Sequence, residues 1–159
     1  MQTIEVEKQK EYIKKVNEIN KEKLLKYYIL TMGCQLNEND SEKIAGMLEN
    51  MGYEIIDDMK KADIIIFNTC CIRENAENKL FGKIGELKKI KKERDIIIGI
   101  GGCMSQQEHI IQKIKESYNF IDIIFGTHTL YKLPELIYEV IDNNKKIVDV
   151  IDIEGQIAE

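Results

Sequence analysis

The sequence predicts an α/β fold: a mostly parallel sheet of five or six strands sandwiched between helices, with a helical extension at the amino terminus. Three observations carry this. Short Ile-rich runs recur along the chain, and several are continuous in β-branched residues rather than alternating, as strands covered on both faces are. Segments with apolar residues at helical spacing lie between them. Polar loops separate the two, without an internal repeat or a low-complexity linker.

Residues 1–26 are rich in Lys and Glu, contain no Gly or Pro, and place Ile13, Val16 and Ile19 at helical spacing. They predict a largely polar helix, read either as a solvated or partly frayed extension or as a functional arm. A domain over residues 27–153 follows. Its strands are expected at Tyr27–Thr31, Tyr53–Ile56, Ile64–Phe67, Ile96–Ile100 and Ile121–Phe125. Ile147–Ile153 is a sixth candidate, and its interleaved Asp149 and Asp152 suit an edge or a position after the domain. Between the strands, Ile44, Met47, Leu48 and Met51 form a helical stripe with Gly52 at its end and Asn39 with Glu42 as a capping box at its start. Ala76, Leu80, Ile84, Leu87 and Ile90 mark a longer helix with a Lys-rich end. Ser105 and Glu108 form a second capping box before Ile110, Ile111 and Ile114. Pro134 suits the first turn of a last helix carrying Ile137, Val140 and Ile141.

Composition narrows the function classes. The 159 residues are 43% hydrophobic and 32% charged, an ordinary globular balance that excludes disordered and collagen-like chains. No apolar run reaches the eighteen or so residues of a membrane span, and residues 1–26 hold no apolar core of a secretory signal. A cytoplasmic location without membrane contact is the expectation. The net charge is −5, and Arg73 and Arg94 are the only arginines, which argues against a strong nucleic-acid grip by this chain alone. In a reducing compartment the four cysteines point to metal or redox chemistry before disulfides.

Open parallel sheets bind ligands beyond the carboxyl ends of their strands, and three of the cysteines fall there. Cys34 follows the first strand in Thr31-Met32-Gly33-Cys34, Cys70 follows the third in Phe67-Asn68-Thr69-Cys70, and Cys103 follows the fourth in Gly101-Gly102-Cys103. Gly33 and Gly102 permit tight turns or close backbone approach. Each cysteine also precedes a helix, whose free N–H groups favour thiolate. An isolated cysteine is ordinarily a small buried hydrophobe; three at equivalent strand ends read as a site. Iron–sulfur ligation by Cys34, Cys70 and Cys103 is the first reading. Zinc is the second, with His128 a better fourth ligand than His109, which falls just inside a capped helix and is expected to be solvated. A redox pair is third, weakened by the absence of a Cys-x-x-Cys. Cys71 is expected to be a replaceable, semi-buried side chain outside the ligand set.

Three blocks make the chain recognisable. Gly33-Cys34-Gln35-Leu36-Asn37 through Asp40-Ser41-Glu42, Asn68-Thr69-Cys70-Cys71-Ile72-Arg73-Glu74, and Gly101-Gly102-Cys103-Met104 with Gln106-Gln107-Glu108 resemble the amino-terminal domain of the radical-SAM methylthiotransferases. The forms around the first two cysteines resemble the MiaB-type, tRNA-modifying branch. They differ from the branches acting on ribosomal protein and on threonylcarbamoyl-adenosine. The resemblance covers roughly residues 26–153.

The resemblance implies that Cys34, Cys70 and Cys103 hold an auxiliary 4Fe–4S cluster with one iron free of protein ligation, and that Cys71 is not required. Gln35, Asn37, Asn68, Thr69 and Arg73 are candidates for supporting the ligands. It further implies a catalytic barrel binding S-adenosylmethionine and a second 4Fe–4S cluster, and a small RNA-binding barrel. Neither is in this sequence, and residues 154–159 would lead into the first. The implied reaction adds a methylthio group to C2 of N6-isopentenyladenosine beside the tRNA anticodon. The auxiliary cluster would present sulfur that comes from a physiological donor. tRNA would be gripped mainly by the absent domains, and this chain alone would be inactive. A stand-alone zinc- or cluster-binding α/β interaction module is the alternative.

Overall fold

Every residue of the Ile64–Thr69 run is buried, which is why it reads as continuous rather than alternating. A computed structural model of the chain describes residues 2–32, 35–69, 74–102 and 108–143. Within them, helix α1 (Gln2–Asn20) leads into β1 (Lys26–Thr31), α2 (Gln35–Asn50), β2 (Glu54–Ile55), β3 (Ile64–Thr69), α3 (Glu74–Glu93), β4 (Ile97–Gly102), α4 (Glu108–Ser117), β5 (Ile123–Ile124) and α5 (Leu133–Asn143). The five strands form one parallel sheet in the order β2-β1-β3-β4-β5.

The two faces of the sheet follow from the period of two along each strand. Ile64 and Ile66 face a core shared with Ile44 and Leu48 of α2, Val16 of α1 and Ile137 of α5. Ile65 and Phe67 face the other core, with Leu80, Ile84 and Leu87 of α3 and Ile110 and Ile114 of α4. The helical stripes expected at Ile44–Met51 and Leu80–Leu87 are therefore the buried faces of α2 and α3. Gly52, with φ +98°, closes α2: Tyr53 N donates to Leu48 O at 3.1 Å and Gly52 N to Glu49 O at 3.1 Å, the paired bonds of a Schellman ending. Pro134 sits in the first turn of α5.

Boundaries differ from expectation where local signals compete. Helix α2 starts at Gln35, so Asn39 lies inside the helix and is not its cap. Strand β2 shortens to Glu54–Ile55, both exposed, because an edge strand here is covered on neither face. The fifth strand shortens to Ile123–Ile124, although Ile121 and Phe125 on either side are buried. Ser105 and Ile147–Ile153 lie outside the described residues.

The polar helix α1 is docked, and its polarity has a use. Gln9 donates to Glu135 Oε1 at 3.1 Å and accepts from Glu135 N at 3.2 Å, satisfying a free amide in the first turn of α5. Asn17 donates to Asn50 O at 2.9 Å and Asn20 to Met51 O at 3.1 Å, where α2 leaves carbonyls unpaired. Val16 is fully buried, and the Tyr12 and Tyr138 rings meet at 5.4 Å. No described helix is long and apolar enough to cross a membrane.

Candidate metal centre

The strand order contains one reversal. From β1 the chain crosses to β2 on one side, then returns to β3 on the other and continues outward to β4 and β5. Helix α2 covers one face, and α3 and α4 the other. β1 and β3 are therefore the strands at the switch point, beyond whose carboxyl ends sheets of this kind bind ligands.

The strand ends at this edge are held in register. Thr31 pairs with Asn68, and Thr69 with Gly102. Adjacent strands lie about 4.8 Å apart, so the ends of β1, β3 and β4 span about 10 Å. The next cysteine in sequence comes three residues after Thr31, one after Thr69 and one after Gly102. Cys34, Cys70, Cys103 and Cys71 themselves lie outside the described residues, as does Arg73. Helices α2, α3 and α4 begin at Gln35, Glu74 and Glu108, each just after one of these cysteines, so three helix amino termini face the same edge.

Below this edge runs a polar seam. Thr31 Oγ1 and Ser41 Oγ lie 2.6 Å apart, and Asn68 Nδ2 donates to Ser41 Oγ at 3.0 Å. Met32 N donates to Asn68 O at 2.8 Å. Thr69 Oγ1 donates to Gly101 O at 2.6 Å across the next strand pair. Asn68 and Thr69 are buried, so these bonds act in a low dielectric and leave little freedom to the strand ends. The last two glycines of β4, Gly101 and Gly102, are demanded by their surroundings. A Cβ on Gly101 would come within 2.2 Å of the Phe125 ring, and Gly102 has φ +95°.

Of the other sequence candidates, Asn68 and Thr69 are placed in the seam as described, while the Gln35 and Asn37 side chains lie outside the described residues. His109 is largely exposed, with Nε2 at 2.9 Å from Glu77 Oε1, a pairing that links the first turns of α3 and α4. His128 falls in the 3₁₀ turn Thr127–Lys132, with its side chain outside the described residues. Among the described residues, no group of three His, Cys, Asp or Glu side chains could hold a metal. Sequence reasoning did not single out Thr31, Ser41 and Glu77. Ser41 stood inside the first motif block, but only the folded sheet brings it against Asn68.

A family model described as the uncharacterized protein family UPF0004 matches residues 26–126. The chain belongs to this family. The UPF0004 segment runs from the first residue of β1 to Gly126, just past β5; it contains the whole sheet and all four cysteines, while α1 and α5 lie outside it. Among curated relatives of this UPF0004 chain, the tRNA-2-methylthio-N(6)-dimethylallyladenosine synthase of Acetivibrio thermocellus is 47% identical, over 98% of this chain and 34% of the relative. Proteins of the same name from Carboxydothermus hydrogenoformans and Clostridium tetani are 51% and 50% identical, over 84% and 91% of this chain and 30% and 32% of theirs. The chain thus spans about a third of the length of these relatives.

Proposed function

We propose that this UPF0004 chain is the amino-terminal domain of a cytoplasmic tRNA methylthiotransferase acting on C2 of N6-isopentenyladenosine. In this reading Cys34, Cys70 and Cys103 hold an auxiliary 4Fe–4S cluster with one iron left open. The observation that carries the reading is the register of β1, β3 and β4 at the switch point: three adjacent strand ends each continue, within three residues, into a cysteine. The donor set fits the group, because thiolates are the ligands of iron–sulfur clusters and three of them leave one corner unfilled. Three helix amino termini at the same edge favour an anionic centre.

When bound, the cluster supplies sulfur for transfer at its open iron. The chain's own part is to hold three thiolates at fixed spacing and to leave the fourth position clear of protein. S-adenosylmethionine and a second 4Fe–4S cluster belong, in this reading, to a domain outside this chain. That domain would also make most of the contact with tRNA, in keeping with a net charge of −5 here. The chain alone is then catalytically silent, and a physiological sulfur donor is a further partner.

Anaerobic reconstitution with iron and sulfide tests the assignment. About four irons with matching sulfide per chain are expected. A chain that takes up one zinc instead, and no sulfide, is a zinc-binding interaction module, and the assignment fails. Methylthio transfer by the pure chain would equally show that the division of labour is wrong.

A further inference from the structure

Ser41 sits in the second turn of α2 and touches the ends of both strands that flank the switch point. The bond from Asn68 has only one sense, because an amide NH₂ donates and never accepts. Ser41 Oγ therefore spends one lone pair on β3. Its 2.6 Å contact with Thr31 Oγ1 takes either the remaining lone pair or its own proton to β1. Met32 N to Asn68 O, at 2.8 Å, is a backbone bond one residue past the end of β1, and the serine ties the same two strands from the helix side at that level. One hydroxyl thus joins the end of β1, the end of β3 and the helix that begins directly after Cys34.

An apolar contact would fill this space without desolvating three polar groups. What hydrogen bonds add is direction and distance, since their geometry is tight where packing is tolerant. Thr69 to Gly101 makes the matching tie between β3 and β4, the hydroxyl donating to a backbone carbonyl, so the Ser41 tie is the one that depends on side chains at every member.

We propose that Ser41 is a positioning residue for the centre: through Thr31 and Asn68 it sets the spacing of the strand ends that lead into Cys34 and Cys70. The inference rests on the cluster assignment above. With the spacing preset, the thiolates bind without first being drawn together; without it, each binding event bears the cost of ordering them.

The test uses the chain reconstituted anaerobically with iron and sulfide, then challenged with an iron chelator, with EPR of the reduced cluster as a second readout. Ser41→Ala is expected to lose iron about 10- to 100-fold faster than the unsubstituted chain and to broaden the EPR signal, the size of effect seen when groups supporting metal ligands are removed. Ser41→Thr, which restores the hydroxyl, is expected to recover most of the lifetime. Lys43→Ala, on the exposed face of the same helix, serves as the control. Should Ser41→Ala fail to fold, Thr31→Val removes one hydroxyl without changing shape and is expected to speed iron loss, while Thr31→Ser is not. Iron loss and EPR signal unchanged in both Ser41→Ala and Thr31→Val overturn the proposal. An unsubstituted chain that takes up no cluster overturns the assignment on which it rests, and the two failures are told apart by that first measurement.

Discussion

Gly102 lies so tightly against Thr69 that a Cβ on the glycine would sit 2.1 Å from the Thr69 carbonyl oxygen and 2.8 Å from its amide nitrogen. The neighbour is backbone in the middle of the sheet, so it has no rotamer by which to yield. The glycine also has φ +95°, a region that L side chains rarely adopt. Gly102 thus lets β3 and β4 close on each other immediately before Cys70 and Cys103, while Gly101 makes room for the Phe125 ring.

Gly102→Ala is therefore expected to destabilise the chain by more than about 2 kcal/mol, combining backbone strain with displacement of β3. Urea unfolding of the apo chain measures it. Gly46→Ala, in α2 with open space around its Cβ position, is expected to be neutral or stabilising by up to about 1 kcal/mol. Equal effects at the two positions would contradict the packing described for β4.

The helix before the sheet supports a second expectation. Asn20 is 4% exposed and donates to Met51 O, the carbonyl at the end of α2. Asn20→Ala leaves that carbonyl without its side-chain donor and is expected to cost about 1 to 2 kcal/mol. Val16→Ala empties a fully buried position and is expected to cost about 2 kcal/mol. Were α1 a solvated appendage, both substitutions would leave the urea midpoint where it was.

Sequence patterns revealed the sheet because burial on both faces writes itself directly into composition: Ile64 to Phe67 has no polar residue to confuse the reading. They revealed α2 and α3 through stripes such as Leu80, Ile84 and Leu87, all fully buried. They failed at Asn39, where a good capping pair lies inside a helix that starts a turn earlier. They also left α1 undecided, because Gln9, Asn17 and Asn20 look like solvated residues until the ends of α5 and α2 are placed beside them. That Cys34, Cys70 and Cys103 follow closely on β1, β3 and β4 was legible in the sequence. The Thr31–Ser41–Asn68 tie was not, since its members come from three elements and meet only when β3 returns beside β1.

Alkaline pH provides a third check. Burial raises the Tyr53 hydroxyl from its usual value to about 12, against an opposing hydrogen bond with Asn20. Burial, and then the Glu49 carboxylate bonded at 2.6 Å, push Tyr27 up as well. A raised folded-state pKa means that the folded chain keeps its proton while the unfolded chain loses it. The stabilisation is complete below about pH 10 and falls as pH rises toward the folded value. Between pH 9 and 11 each tyrosine is expected to remove about 1 kcal/mol from the unfolding free energy. Tyr53→Phe and Tyr27→Phe should each flatten that decline. A decline as steep in the double variant as in the unsubstituted chain would place the alkaline sensitivity elsewhere.

The ligand set makes the last prediction. Thr69 and Gly102 are register partners, so Cys70 and Cys103 are the next residues along two paired strands, while Cys71 is one step further along the chain. Neighbouring residues point their side chains in different directions, so two adjacent cysteines do not serve one centre equally. Cys71→Ser is accordingly expected to leave reconstituted iron, sulfide and visible absorption unchanged. Cys34→Ala, Cys70→Ala and Cys103→Ala are each expected to abolish stable assembly while the apo chain still unfolds cooperatively, since the described residues already build an apolar core on each face of the sheet. Added sulfide is expected to shift the EPR signal of the unsubstituted, reduced protein, as an iron without a protein ligand accepts it. Loss of the cluster in Cys71→Ser with its retention in Cys70→Ala would reverse the assignment of the pair. A signal indifferent to sulfide would remove the open iron even with all three ligands correct.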